Sequence, residues 1–191
     1  MNRERMERGL REFLEGLFDG HAAIDPAQRD EVLQNTPRRV ATAMADDLLA
    51  GYGEDPAAGL EPIPAPGAGG PVLLEGLRFT SMCAHHLLPF RGVAHVGFVP
   101  RAHHVGLGGI ARLVDALARR LTIQESLTAG IADHLVRGLD PQSVLVVVDA
   151  EHLCLSARGS RKTGHRFRTV ERRGAPCPEL DALLAAGPAR W

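Results

Sequence analysis

The sequence predicts an α+β fold in which two strands, two helices and two further strands follow in the order ββααββ, behind an N-terminal helical extension. Three observations predict it. Strand-like segments at 72–80 and 92–99 precede two runs with a 3.6-residue apolar period. A nearly pure aliphatic run, Ser143-Val144-Leu145-Val146-Val147-Val148, follows those helices. Soft metal-binding side chains fall in two short segments flanked by strand pattern, Ser81–His86 and Glu151–Cys154.

Each element has its own signal. In the N-terminal region, 1–52, Leu10, Phe13, Leu14 and Leu17 repeat at helical spacing and predict an amphipathic helix over 3–18. Asn35-Thr36-Pro37 reads as a cap with proline in the first turn of a second helix. Val40, Met44 and Leu48 line its face, and Gly51 is its expected stop. Residues 53–71 are rich in Gly, Pro and Ala, lack periodicity and read as a linker. The domain expected to carry the chemistry is 72–191. Within it Ile110, Leu113, Val114, Leu117 and Leu121 mark one helix, and Leu127, Ile131 and Leu135 another. A last strand is expected near His165–Glu171. Such a unit covers one sheet face and leaves the other face and both edges bare. Joining sheets edge to edge into a closed barrel of several copies would cover them.

Composition narrows the function. The chain has 191 residues, a formal net charge of −1 and 45% hydrophobic residues, which describe a soluble globular domain with an appendage. No charge bias points to nucleic acid or membrane, and 4% aromatic content argues against stacking on single-stranded nucleic acid. The charged start, Met1–Arg8, lacks the apolar core of a signal peptide, and no run is long enough to span a bilayer. Three cysteines with no disulfide-scaffold spacing suit a reducing cytoplasm, and Cys177 reads as a bystander.

The chemistry concentrates in the two soft-ligand segments. Cys83 and His86 have a C-x-x-H spacing that one turn can present to a single ion. His152 and Cys154 have an H-x-C spacing that an extended strand would place on one face. A catalytic zinc takes three protein ligands and keeps a fourth position open. Cys83, His86 and Cys154 would make such a site, with His85 and His152 left as acid–base groups. The competing reading is a nucleophilic Cys83 with His152 as its base, which leaves the other residues idle. His95, His103, His104, His134 and His165 read as surface or core residues. Gln124-Glu125 is either a solvated helix start or a carboxamide and carboxylate aimed at a ring bearing N–H donors. Arg158-Gly159, followed by Arg161-Lys162, is either an exposed basic turn or an anion holder beside the metal.

At these residues the chain resembles the GTP cyclohydrolase I family. The resemblance is carried by Asn35-Thr36-Pro37-Arg38-Arg39-Val40-Ala41, by Ser81–Phe90 with His95-Val96-Gly97, by Gln124-Glu125-Ser126-Leu127-Thr128, and by Ala150–Cys154 with Arg158-Gly159. It implies the tunnelling fold (T-fold), assembled as a ring-shaped homodecamer with active sites at subunit junctions. It also implies zinc on Cys83, His86 and Cys154, and hydrolytic opening of a guanine imidazole ring at C8. His85 and His152 would then move protons, and Glu125 with Gln124 would read the guanine. The products would be formate and dihydroneopterin triphosphate.

Several positions depart from the family pattern. Gly108-Gly109 stand where the family carries Ser-Lys, Thr42 where it carries a lysine, and Ala84 where it carries a glutamate. The matching arginines Arg39, Arg112 and Arg158 remain as substrate-binding candidates. Two fewer cations around a triphosphate are costly, because charge-assisted contacts contribute roughly 1.5–3 kcal/mol each. A guanine derivative with fewer or no phosphates (a nucleoside, a base or 8-oxoguanine) is therefore the alternative substrate. A non-catalytic pterin- or partner-binding role is the second alternative, against which the retained His85 and His152 argue.

Overall fold

The computed structural model describes residues 1–20, 25–65 and 69–185. Its contacts divide into two units, Met1–Ala50 and Gly51–Trp191.

The first unit is built on two helices. α1, Arg3–Phe18, is capped by Asn2, whose side chain accepts the Arg5 N–H. Its apolar stripe is present as expected, yet no α1 residue is buried, and Phe13 and Leu17 are exposed. α2 runs Pro26–Ala43 and begins well before the expected cap. Asp25-Pro26 supplies the cap, with the Asp25 carboxylate accepting the Ala27 N–H at 2.9 Å. Pro37 therefore lies inside the helix, where it removes one hydrogen bond at a cost of about 3 kcal/mol. Beyond Ala43 the helix widens into a π turn, Met44–Leu48.

The second unit holds the sheet. In chain order its elements are β1 (Ile63–Pro64), β2 (Val72–Cys83), β3 (Pro89–Val99), β4 (His103–His104), α3 (Leu107–Ala118), β5 (Leu121–Thr122), α4 (Gln124–Leu139), β6 (Ser143–His152), α5 (Leu153–Ser156), β7 (Phe167–Gly174) and α6 (Pro178–Ala185). β1 and β4 form a small ladder of their own. The main sheet has the order β5-β2-β3-β6-β7, antiparallel except where β5 runs parallel to the end of β2. The expected ββααββ sequence is thus β2, β3, α3, α4, β6 and β7.

One face of the sheet packs on α3 and α4. Ile110, Leu113 and Val114 of α3 and Leu127, Ile131, Leu135 and Leu139 of α4 are buried against Phe79, Phe90, Val96, Phe98, Val146 and Val148. Each such side chain contributes roughly 1.5–3 kcal/mol by leaving water. The opposite face is not bare, as the sequence suggested. Leu145 and Val147 of β6 pack there under Leu180 of α6, which is 1% exposed. Gly97 makes room for it, since a Cβ at that position would lie 2.8 Å from the Leu180 side chain. Two hydrogen bonds from Arg172 to Asp181 fix α6 to β7. The unbroken aliphatic run in β6 has the pattern of a strand covered on both faces.

The segment read as a linker also packs on this unit. Asp55 caps a 3-10 turn, Pro56–Gly59, by accepting the Ala57 N–H. Gly59 meets the backbone of Gly109 in the first turn of α3, and a Cβ at Gly109 would overlap the Gly59 carbonyl oxygen. At Gly108 an added Cβ would meet only the end of the Arg112 side chain, at 3.5 Å. Gly109→Ala is expected to destabilise the protein by roughly 1–3 kcal/mol. Gly108→Ala should be neutral or stabilising by up to about 1 kcal/mol through helix propensity. Urea unfolding of the two variants checks this, and equal midpoints would refute it.

A second tie holds β7 to β6. Asp149, buried on the face away from α3 and α4, accepts hydrogen bonds from Arg166 and from Arg168, the latter through two nitrogens. Burial pushes the Asp149 carboxyl up, but these bonds outweigh it and hold the group below the ordinary carboxylate range. Its stabilising contribution is therefore present above about pH 4 and is lost as pH falls through the lower folded value. Asp149→Asn should lower Tm at pH 7 and flatten its fall below pH ~4, as thermal melts across that range would show.

Candidate metal and active site

Two chain reversals build the site. β2 ends at Cys83, where a tight turn returns the chain to β3: Leu87 N–H donates to Cys83 O (2.9 Å) and Cys83 N–H to Leu88 O (3.0 Å). Leu87 adopts a left-handed conformation, φ 51°, to close this turn. The C-x-x-H pair accordingly sits on one turn, with Cys83 Sγ 3.7 Å from His86 Nδ1. The turn is anchored to β5 by Ala84 N–H donating to Thr122 O (3.0 Å), two residues before Gln124.

The second reversal differs from expectation. β6 stops at His152, and Cys154 lies on the single helical turn α5 rather than on the strand. Ala157 N–H donates to Leu153 O at 2.8 Å, and Ser156 Oγ donates to His152 O. His152 and Cys154 therefore do not share a strand face. Curling the chain brings the Cys154 thiol to Cys83 and His86, and the three donor atoms lie within 4.8 Å of one another. Among the described residues this is the one group of three or more such side chains that could hold a metal ion.

The donor set fits a metal. Tetrahedral zinc with bonds of ~2.3 Å to sulfur and ~2.05 Å to nitrogen requires an S···N edge of roughly 3.6 Å, close to the 3.7 Å between Cys83 and His86. Burial, and then the neighbouring Cys83, push the Cys154 thiol up, while Arg158 pulls it down. A thiol pushed up by a neighbouring thiol in this way is stabilised as a thiolate when a cation sits beside it.

His152 borders this group. Phe90, its direct partner across the β3–β6 ladder, stacks on the imidazole with centroids 4.6 Å apart and planes 4° from parallel. Phe167 of β7 approaches edge-on at 5.7 Å. Desolvation lowers the His152 pKa, the neighbouring His165 lowers it further, and Glu125 opposes both. His152 Nε2 lies 2.9 Å from Gln124 Oε1, and its backbone N–H donates to His165 Nε2 at 3.1 Å.

The remaining sequence candidates separate. His85 is exposed beside His86, with ring centroids 6.2 Å apart. Glu125 is exposed on the first turn of α4, close enough to His152 to act on its charge. Gln124, read with Glu125 as a guanine contact, is instead fully buried, with its carboxamide bonded inside the protein. Arg158 is exposed after α5 and near enough to influence Cys154. Arg112 is exposed on α3 against Gly59 and Gly108. Arg39 belongs to the helical unit, paired with Glu31 at 3.0 Å. His165, read as a surface or core residue, belongs to the His152 surroundings, as do Phe90 and Thr169. For His165 the only local signal was its place at the start of the last expected strand.

The GTP cyclohydrolase I family model matches residues 15–180. The chain belongs to the GTP cyclohydrolase I family. It is 41% identical to GTP cyclohydrolase 1 of Bacillus subtilis over 175 residues, covering 91% of this chain and 88% of that one. GTP cyclohydrolase 1 of Bacillus cytotoxicus is 42% identical with the same coverage, and that of Geobacillus kaustophilus is 41% identical. Among solved structures, the archaeosine synthase QueF-Like in the apo form aligns with a TM-score of 0.48 and 18% identity, over 58% of this chain and 99% of that one. No described helix is long and apolar enough to cross a membrane.

Purified protein is expected to carry one metal ion per chain, and Cys154→Ser to lose it. Elemental analysis after gel filtration decides this, and equal metal content in wild type and Cys154→Ser would rule the site out.

Proposed function

We propose that the protein is a zinc-dependent cyclohydrolase that opens the imidazole ring of GTP at C8, giving formate and 7,8-dihydroneopterin triphosphate. The observation that carries this reading is the convergence of Cys83, His86 and Cys154 beside His152 and Glu125. Family membership supports it, and relatives at about 41% identity bear the name GTP cyclohydrolase 1. Zinc bound to the three donors supplies Lewis acidity and lowers the pKa of water, so that C8 can be attacked near neutral pH.

The chain's own side chains handle the rest. His85, directly before His86 in sequence, and His152, two residues before Cys154, move protons to and from the imidazole nitrogens as the C8–N bonds break. Glu125 presents an exposed carboxylate to the N1–H and exocyclic amine of guanine, which a wrong base would leave unpaired. Arg158 and Arg112 serve the phosphates, and Arg39 is a further substrate-binding candidate carried by the family resemblance alone. The open edges of the sheet at β7 and along most of β2, with the exposed stripe on α1, support assembly into a homo-oligomer, for which we propose the decamer. All three cysteines are free, which suits a cytoplasmic setting.

One observation favours a second reading, in which the substrate carries fewer phosphates. The backbone contact between Gly109 and Gly59 leaves no room for a side chain where the family carries a lysine.

Incubation of zinc-loaded protein with GTP, GMP, guanosine and guanine, followed by ultraviolet absorbance and formate release, separates the readings. GTP is expected to turn over to a fluorescent pterin. His85→Ala and His152→Ala should each reduce kcat by roughly 10²–10⁴-fold. Turnover of guanosine or guanine alone would establish the second reading, and no ring opening of any of them would defeat both.

A further inference from the structure

Gln124 opens α4 and has no solvent-exposed surface. Its Nε2 lies 2.9 Å from Val148 O of β6, 2.9 Å from Phe167 O of β7, and 3.1 Å from Thr169 Oγ1. Two of these partners are backbone carbonyls, which only accept hydrogen bonds. Flipping the amide would set its oxygen against both of them, so the chemistry of the surroundings fixes which end is nitrogen.

Oε1 is then the atom facing His152 Nε2 at 2.9 Å. An amide oxygen only accepts, so the proton between them belongs to His152. The neighbouring hydroxyls are consistent with this. Thr128 Oγ1 donates to Gln124 O at 2.7 Å, which leaves Thr169 Oγ1 to donate to Thr128 Oγ1 at 2.6 Å and to turn a lone pair toward Gln124 Nε2, whose two hydrogens are shared among three acceptors. His165 is ordered in the same way. Its Nε2 accepts the His152 backbone N–H, so its proton sits on Nδ1 and goes to Lys162 O at 2.7 Å.

We propose that Gln124 is a positioning residue that holds His152 as the Nε2–H tautomer, its plane set by Phe90, and so makes Nδ1 the nitrogen that exchanges protons with the substrate. The role of Nδ1 in turnover rests on the cyclohydrolase reading. The tautomer does not. Gln124 touches no substrate in this assignment, and the guanine is left to Glu125. The geometry explains why a carboxamide is required. A carboxylate would accept from His152 but would face the Val148 and Phe167 carbonyls with lone pairs, and an apolar side chain would remove the bonds to both carbonyls and take the acceptor from the imidazole N–H.

Two measurements test this. In uniformly 15N-labelled, metal-loaded protein at pH 8, the His152 ring nitrogens, identified by their loss in His152→Gln, are expected to show protonated Nε2 and unprotonated Nδ1. A protonated Nδ1 with bare Nε2 would overturn the assignment, and this spectrum needs neither substrate nor a Gln124 variant that folds. In Gln124→Met, kcat is expected to fall roughly 10- to 100-fold, short of the roughly 10²–10⁴-fold loss for a missing proton-transfer group. KM should change by less than about threefold, because binding common to ground and transition states is untouched. A KM raised tenfold or more with kcat retained would show that Gln124 contacts substrate instead. Failure of the spectrum overturns the tautomer alone, whereas absence of turnover in wild type overturns the cyclohydrolase reading alone.

Discussion

A single buried carboxamide joins the three elements that surround the site. Gln124 sits on α4, yet it satisfies a carbonyl of β6, a carbonyl of β7 and the imidazole of His152. Buried polar groups left without partners cost roughly 1–3 kcal/mol each, so this arrangement strongly disfavours alternative placements of the strand ends. The helix cannot rotate, nor β7 slip by a residue, without breaking several of these bonds together. Thr128 and Thr169 extend the network across the same seam. The stacked pair of Phe90 and His152 inherits its geometry from it and from the β3–β6 register.

The metal-binding group depends on a different economy of structure. Cys83 and His86 need only one tight turn at the end of β2, and the chain supplies it with a left-handed Leu87. Cys154 reaches them because β6 is interrupted at His152 and curls into α5. The break separates two tasks that a continuous strand would have merged. His152 stays in the sheet, desolvated against aromatic rings, while Cys154 moves out toward the other two donors. His152, the proposed proton-transfer group, and Cys154, a candidate ligand, thus stand two residues apart in different surroundings.

The two ends of the site are held with unequal firmness. Around His152, aromatic packing and buried hydrogen bonds restrict every ring. At the end proposed for the phosphates, Arg112 and Arg158 are exposed, and the first turn of α3 is given over to backbone packing between Gly109 and Gly59. A helix start packed against a 3-10 turn gains close van der Waals contact and forgoes a cationic side chain. On the proposed reading, this chain keeps the residues assigned to proton transfer and alters the region assigned to the phosphates.

What the sequence determined by itself was local and chemical. Apolar periods located α3, α4 and the main strands, because burial against one face depends on spacing alone. The soft side chains pointed to Cys83, His86 and Cys154, the group that could hold a metal ion, because few other residue types can bind one. Local signals failed where two segments could meet the same requirement. Asn35-Thr36-Pro37 was the expected helix start, but α2 begins eleven residues earlier at Pro26, where Asp25 supplies the same cap-and-proline chemistry. Tertiary structure alone decided that Gln124 turns inward, that His165 belongs beside His152, that α6 covers the far face of the sheet, and that β6 breaks before Cys154. Each of these depends on partners far along the chain, such as the 28 positions between Gln124 and His152. A buried hydrogen bond is specified by where its partner lies in space, and neither residue carries that information in its own neighbourhood.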